Sequence, residues 1–372
     1  MKASDVVFCD HNAGAPATDE VLAAFVAAER ACPGNPASIH GSGRAARAVL
    51  EQARQRIADA FHLAAADVLF TSGGTEAANL AVMGLGDASL PVALAAVEHP
   101  AVFECAKQRG VVAWQVDAEG VALVVEPEQR VGLLCLTHAQ SELGTLQPVA
   151  AAAQLAEQLR VPLFVDAAQT LGRVPLHEVL ATGAVVALSP HKAGGLRGHG
   201  VLLGRDLHRQ LRPLLRGGSQ ELGLRPGTQS PALAAANALA IEQALTTQSW
   251  RRTRMLAIRA NFLAGVAGSA VAHRVLTPLA NSVPNTVMLH FAHVDGRNLV
   301  PALDLAGVHA SSGSACSSGA PTPPRILLAI GLDEAAARAS VRFSFGWCDD
   351  AELLREVGQR VGSLVLSRQK KN

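Results

Sequence analysis

The chain has 372 residues, 49% of them apolar and 17% charged, with a formal net charge of +1 at neutral pH. This composition supplies material for a large folded unit with a smaller companion and excludes a disordered chain. It gives no general attraction to nucleic acid or to an anionic membrane surface, and no apolar run approaches the ~20 residues needed to cross a bilayer.

At the start of the chain, MKASDVVFCD lacks a basic-then-apolar leader pattern, so a cytoplasmic setting is expected. The loop GNPASIH leads into GSGRAA, which fits G-x-G-x-x-A from Gly41. It follows a loop instead of a strand, and no suitably placed acidic residue closes a following strand, so it is not read as a nicotinamide fingerprint. Strand-like runs then follow at DVLFTS, PVALAAVE, VVAWQV, VGLLCLTH, VPLFVDA, AVVALSP and GVLLG. Helical periodicity falls near Arg44 to Phe61, Ala77 to Leu85, Val102 to Arg109 and Val149 to Leu159. The runs are apolar on both faces, as in a mostly parallel sheet covered by helices, which makes this an α/β unit expected over 13–250. Near Trp250 the pattern changes to a long Arg-rich helix, NTVMLHF, a short helix, a small-residue loop around Cys316 and SVRFSFG. With residues 1–12, the stretch 251–372 is expected to form a smaller α+β domain.

The six cysteines, Cys9, Cys32, Cys105, Cys135, Cys316 and Cys348, show no C-x-x-C spacing, so neither a zinc site nor a disulfide framework is indicated. Cys316 stands apart because SSGSACSSGAP is too small and polar for a core. A thiol on such a loop is available to react.

Ligands of open α/β sheets gather beyond the carboxyl ends of the strands. Those ends carry Gly73, Gly74 and Thr75, then Glu98 and His99, Gln140 and Ser141, Asp166 and Gln169, and finally Ser189, His191 and Lys192. Singly, each also reads as a capping or turn residue. Together they describe an anion cradle, a carboxylate, an imidazole and a lysine in one concave place. FTSGGTEAANL supplies bare backbone and a hydroxyl at a helix start, where unpaired N–H groups and the dipole favour a phosphate. An amine for a Schiff base, a carboxylate to hold a pyridine nitrogen protonated and an anchored phosphate are the requirements of pyridoxal 5'-phosphate chemistry. Lys192, in HKAGG, suits the first role and Asp166, closing a buried strand, the second. His99 could stack on the ring and handle protons.

These residues resemble the pyridoxal-phosphate-dependent cysteine desulfurases of the NifS/IscS type, within the fold-type-I aminotransferase-like superfamily. The resemblance runs over almost the whole chain, through DHNAGAP, VEHPAV, SELGTLQPV, FVDAAQTLGRVPL, SPHKAGGLRGHGVLLG, LLRGGSQELGLRPGTQ, SSGSACSSGAPTPPRILLAIGL and SVRFSFG. It implies that Lys192 carries the cofactor, Asp166 meets the pyridine nitrogen, His99 stacks on the ring and Gln169 approaches the ring hydroxyl. Gly74, Thr75, Ser189 and His191 would hold the phosphate, Thr228 would reach the phosphate of a neighbouring subunit in a homodimer, and Ser141 would touch the cofactor. Arg342 and Asn12 would bind the substrate carboxylate. Cys316 matches the nucleophile that takes sulfur from L-cysteine, leaves alanine, and passes the persulfide to an acceptor protein, an iron–sulfur scaffold or a sulfur carrier for tRNA thiolation.

Two positions depart from the family pattern. Ser141-Glu142 stands where Asn-Glu is usual, and Gly14 where threonine is common. A related lyase acting on selenocysteine or cysteine sulfinate, and a weakly active binding or regulatory protein of the sulfur system, are therefore the alternative readings.

Overall fold

Fourfold runs such as VALA and VVAL have apolar side chains on both faces, and they are stable only where both faces are covered. The structure, a computed structural model, describes residues 6–294, 296–312 and 323–369. In chain order the strands are β1 (Val7–Phe8), β2 (Val68–Thr71), β3 (Val92–Ala95), β4 (Val111–Trp114), β5 (Leu133–Thr137), β6 (Leu163–Asp166), β7 (Val185–Leu188), β8 (Gly200–Leu203), β9 (Arg274–Val275), β10 (Thr286–His290), β11 (Val308–His309) and β12 (Ser340–Ser344). The seven runs expected from the sequence are β2 to β8, and they join in one sheet of order β2-β8-β7-β6-β5-β3-β4. β8 pairs antiparallel with both neighbours, and the remaining pairings are parallel.

Alternation along each strand sends its side chains to opposite faces. On one face Leu134, Leu136, Val165 and Val186 pack with Leu50 and Ile57 of the helix Gly41–Ala60 and with Ala152 of the helix Val149–Leu159. On the other, Leu133, Cys135, Phe164 and Val185 pack with Leu80 of the helix Gly74–Gly84 and Val102 of the helix Pro100–Ala106. Phe164 is fully buried, so truncating it to alanine should cost about 3–5 kcal/mol.

The second region contains the antiparallel sheet β12-β10-β9 and the short parallel pair β1-β11. Cys9, Phe262, Phe343, Phe345 and Val357 share its core. The Arg-rich helix spans Gln248–Gly268 and lies against the helix Ala351–Gln369. A Cβ on Gly265 would sit 2.0 Å from the Arg355 carbonyl oxygen, and one on Gly358 would sit 2.2 Å from that of Phe262, so both glycines are required for this approach. The longest helices outside the sequence expectation are Asp19–Ala31, Pro231–Thr246 and Ala351–Gln369, and the shorter ones include His177–Ala181 and Glu334–Arg338. Among the described residues no helix is long and apolar enough to cross a membrane.

Candidate active site

The ends of β2, β3, β5, β6 and β7 open on one cleft of ≈230 Å³. β2 delivers Gly74 and Thr75 to its wall, the turn after β3 delivers His99, and the turn after β5 delivers Ser141 and Glu142. β6 contributes Asp166 and, just beyond, Gln169; β7 contributes Ser189, His191 and Lys192. Asn12 and Arg342, on β12, close the opposite side. Gly73 and Thr228 are not on this wall, and Thr228 is exposed. Cys316 lies outside the described residues.

The helix Gly74–Gly84 starts without a side-chain cap, leaving the N–H groups of its first turn open. A Cβ on Gly74 would stand 2.5 Å from Ser189 Oγ, so glycine allows the hydroxyl to come close to the helix start. Ser189 opens the 3₁₀ turn Pro190–Lys192, in which the Lys192 N–H donates to the Ser189 carbonyl at 3.0 Å. That turn is pinned from behind. Asn237 Oδ1 accepts from Leu196 N–H at 2.8 Å, and Arg251 Nη1 donates to the Ala193 carbonyl at 2.9 Å.

His99 caps the helix Pro100–Ala106, its Nδ1 accepting from Ala101 N–H at 3.1 Å. Its neutral ring therefore carries the proton on Nε2. Burial lowers its proton affinity, the Asp166 charge works against that, and Lys192 adds to it. His191 is pushed down to about 4, first by burial and then by Lys192, Arg197 and Arg173, so it is neutral at pH 7 and can donate one hydrogen bond. Asp166 is oriented by Ala168 N–H, which donates to Oδ1 at 2.9 Å. Beside it, Glu98 is buried and raised to about 8, chiefly by burial, with the Thr137 N–H opposing and the Asp166 charge adding.

The Ser141 carbonyl organises the other end. It accepts from Asn12 Nδ2 at 3.0 Å and from Arg342 Nη1 at 3.0 Å. Arg342 Nη2 donates to Asp10 Oδ1 at 2.6 Å, while its buried Nε has no partner among the described residues. Two of the five guanidinium donors are thus engaged, and the remainder suit a carboxylate. Since the backbone of Ser141 makes these contacts, serine in place of asparagine leaves them intact.

A phosphorylated pyridine aldehyde fits this donor set. The uncapped helix start and the approach permitted by Gly74 match a phosphate, and Asp166 and Lys192 line the same cleft. Asp10 and Arg173 escaped the sequence reading. Arg173 lies four residues after Gln169, the one spacing signal available; Asp10 is an acidic residue just before His11-Asn12 with no signal of its own.

The class-V aminotransferase family matches residues 7–356. The cysteine desulfurase IscS of Dictyoglomus turgidum is 32% identical over 91% of this chain and 89% of its own length. The cysteine desulfurase NifS of Azotobacter vinelandii is 32% identical over 96% of this chain and 92% of its own. Among solved structures, a NifS-like protein superposes with a TM-score of 0.86 at 27% identity, covering 97% of this chain and 99% of that one. The seven-stranded sheet is the fold-type-I arrangement those relatives share, and the chain belongs to the class-V aminotransferase family, in its NifS/IscS-like group of cysteine desulfurases.

Proposed function

We propose that this protein is a pyridoxal 5'-phosphate-dependent cysteine desulfurase that converts L-cysteine to L-alanine and retains the sulfur as a persulfide on Cys316. The reading is carried by one observation: Lys192, Asp166, His99 and the open helix start at Gly74 line a single cleft. The cofactor supplies an aldehyde for an amine and a ring that withdraws electrons from the substrate. Lys192 Nζ tethers it and moves the substrate's α-proton. Asp166 holds the ring nitrogen protonated, His99 stacks on the ring, and Gln169 meets the ring hydroxyl. Thr75, Ser189 and neutral His191 donate to the phosphate. Arg342, fixed on the Ser141 carbonyl beside Asn12, receives the substrate carboxylate.

The substrate's sulfur joins the Cys316 sulfur as its bond to carbon breaks, and that carbon takes a proton to give alanine. The persulfide then passes to an acceptor protein of iron–sulfur assembly or tRNA thiolation. A reducing cytoplasmic setting goes with a working thiol. We place the large domain at 13–250 and the small one at 1–12 and 251–372. A homodimer belongs to the same reading. A groove of ≈500 Å³ has Pro36, Leu222 and Gln229 among its lining residues, exposed Leu214, Leu215 and Leu222 lie in the same stretch of chain as exposed Thr228, and the family resemblance implies that Thr228 would reach the phosphate held by a partner subunit.

The test is incubation with L-cysteine and a thiol reductant. Alanine and sulfide should form continuously, and mass spectrometry without reductant should find one added sulfur on Cys316. Cys316→Ser should lose both with L-cysteine, whereas a lyase acting on selenocysteine would keep its activity. Alanine release unaffected by Cys316→Ser would refute the assignment.

A further inference from the structure

Arg173 is almost fully buried, yet it touches only neutral oxygens. Its Nη1 donates to the side-chain oxygen of Gln169 and, at 3.3 Å, to the Gln169 carbonyl. Its Nη2 donates to the carbonyls of His11 and Lys192, each at 3.3 Å. No carboxylate pairs with it among the described residues, and the charge nearest in effect, Arg342, repels it. A buried, unneutralised guanidinium is costly to keep unless a nearby ligand supplies negative charge.

An arginine can only donate, so the Gln169 amide must turn its oxygen to Arg173 and its nitrogen away. That nitrogen gives one hydrogen to the Asn12 carbonyl at 3.0 Å and keeps the other. Gln169 lines the cleft and Arg173 does not. We propose that Arg173 is a positioning residue: it forces Gln169 to present an N–H to the cleft and, from behind it, favours the deprotonated form of the bound cofactor. This rests on the proposed cofactor. The other charged and titratable groups facing the cleft are His99, Glu142, Asp166, His191, Lys192 and Arg342, while His11 adjoins Arg173.

The test titrates the visible absorbance of holoenzyme from acid to alkali. Arg173→Met should raise the midpoint by about one pH unit, a tenfold change in proton affinity. Arg173→Lys, which keeps a charge and a donor, should raise it by less than half as much. Wild-type holoenzyme and an Arg173→Met form with equal midpoints would overturn the inference and leave the proposed function standing. So would a lysine variant shifted as far as the methionine variant. If Arg173→Met takes up no cofactor, Gln169→Ala decides, since removing the relay should raise the midpoint too and an unmoved midpoint rejects the idea. Wild-type protein that takes up no pyridoxal 5'-phosphate overturns both readings.

Discussion

The two sides of the cleft are built differently. The sheet side consists of residues within a few positions of a strand end, held by local contacts such as Lys192 N–H to Ser189 and Ala168 N–H to Asp166. The opposite side is stitched together across the chain: Arg342 to Asp10, Arg342 to Ser141, Asn12 to Ser141 and to Thr286. The difference teaches that the side proposed to hold the cofactor is fixed by the sheet, whereas the side proposed to receive the substrate depends on the N-terminal segment, β10 and β12 meeting the turn after β5.

Substitutions on the two sides should therefore fail in different ways. The largest effect belongs to Lys192→Ala, which should reduce alanine formation at least about a thousandfold, the scale expected when a proton-moving group is lost. Sulfide assays would check it, and activity within tenfold of wild type would remove Lys192 from the chemistry. Arg342→Ala should lower kcat/KM for L-cysteine by roughly 10- to 100-fold, mainly through KM, as one charge-assisted contact disappears. Cofactor content should stay unchanged. Equal loss of cofactor would mean that the two halves are not separable.

Acid should weaken the sheet side first. His138, His191 and His199 are each lowered to about 4, principally by burial, against an ordinary 6.5. The unfolded chain binds their protons first, so the stability they contribute is complete above pH 6.5 and is lost as pH falls toward 4. Glu98, raised to about 8, has the opposite sign: its contribution is present below about 4.5 and lost as pH rises through 8. Three imidazoles outweigh one carboxyl. On the N-terminal side, His11, lowered to about 4 by burial and Arg173, lies 3.6 Å from Asp349, which burial raises to about 6, so these two nearly offset each other. Urea unfolding should show a loss on the order of 2 kcal/mol between pH 7 and 5, and His11→Asn, which removes one lowered imidazole while the raised Asp349 stays, should make that loss smaller. A flat profile would contradict this assignment.

Smaller changes sharpen the contrast. Gly74→Ala, which puts a methyl group against Ser189 Oγ, should weaken retention of pyridoxal 5'-phosphate about tenfold, or ~1.4 kcal/mol, with KM for cysteine unmoved. Ser141→Asn should alter kcat/KM by less than about threefold, because the carbonyl at 141 does the holding. A tenfold gain would show that the missing amide matters.

The same division explains what the sequence reveals. Strand ends are readable because parallel β-strands are continuous apolar runs that stop at a polar residue, and Asp166, Ser189 and Lys192 sit at such stops. The helix Pro231–Thr246 is hidden because it has no polar face: Ala232, Ala234, Ala236, Ala238, Ala240 and Ala244 are all buried, and its central Asn237 is turned inward to hold the Lys192 loop. Asp10 and Arg173 are hidden for another reason. Their partners are Arg342 in the first case and the His11 and Lys192 carbonyls in the second, contacts that exist only once the fold has closed. Motif resemblance nonetheless reaches Arg342 and Asn12, which local pattern alone does not.

The central claim is that this cleft holds pyridoxal 5'-phosphate on Lys192. Purified protein supplied with the cofactor, reduced with borohydride and digested should yield a pyridoxyl adduct on the peptide containing Lys192 and nowhere else in the chain. Unmodified Lys192 peptide, or an adduct only on another lysine, would contradict the account.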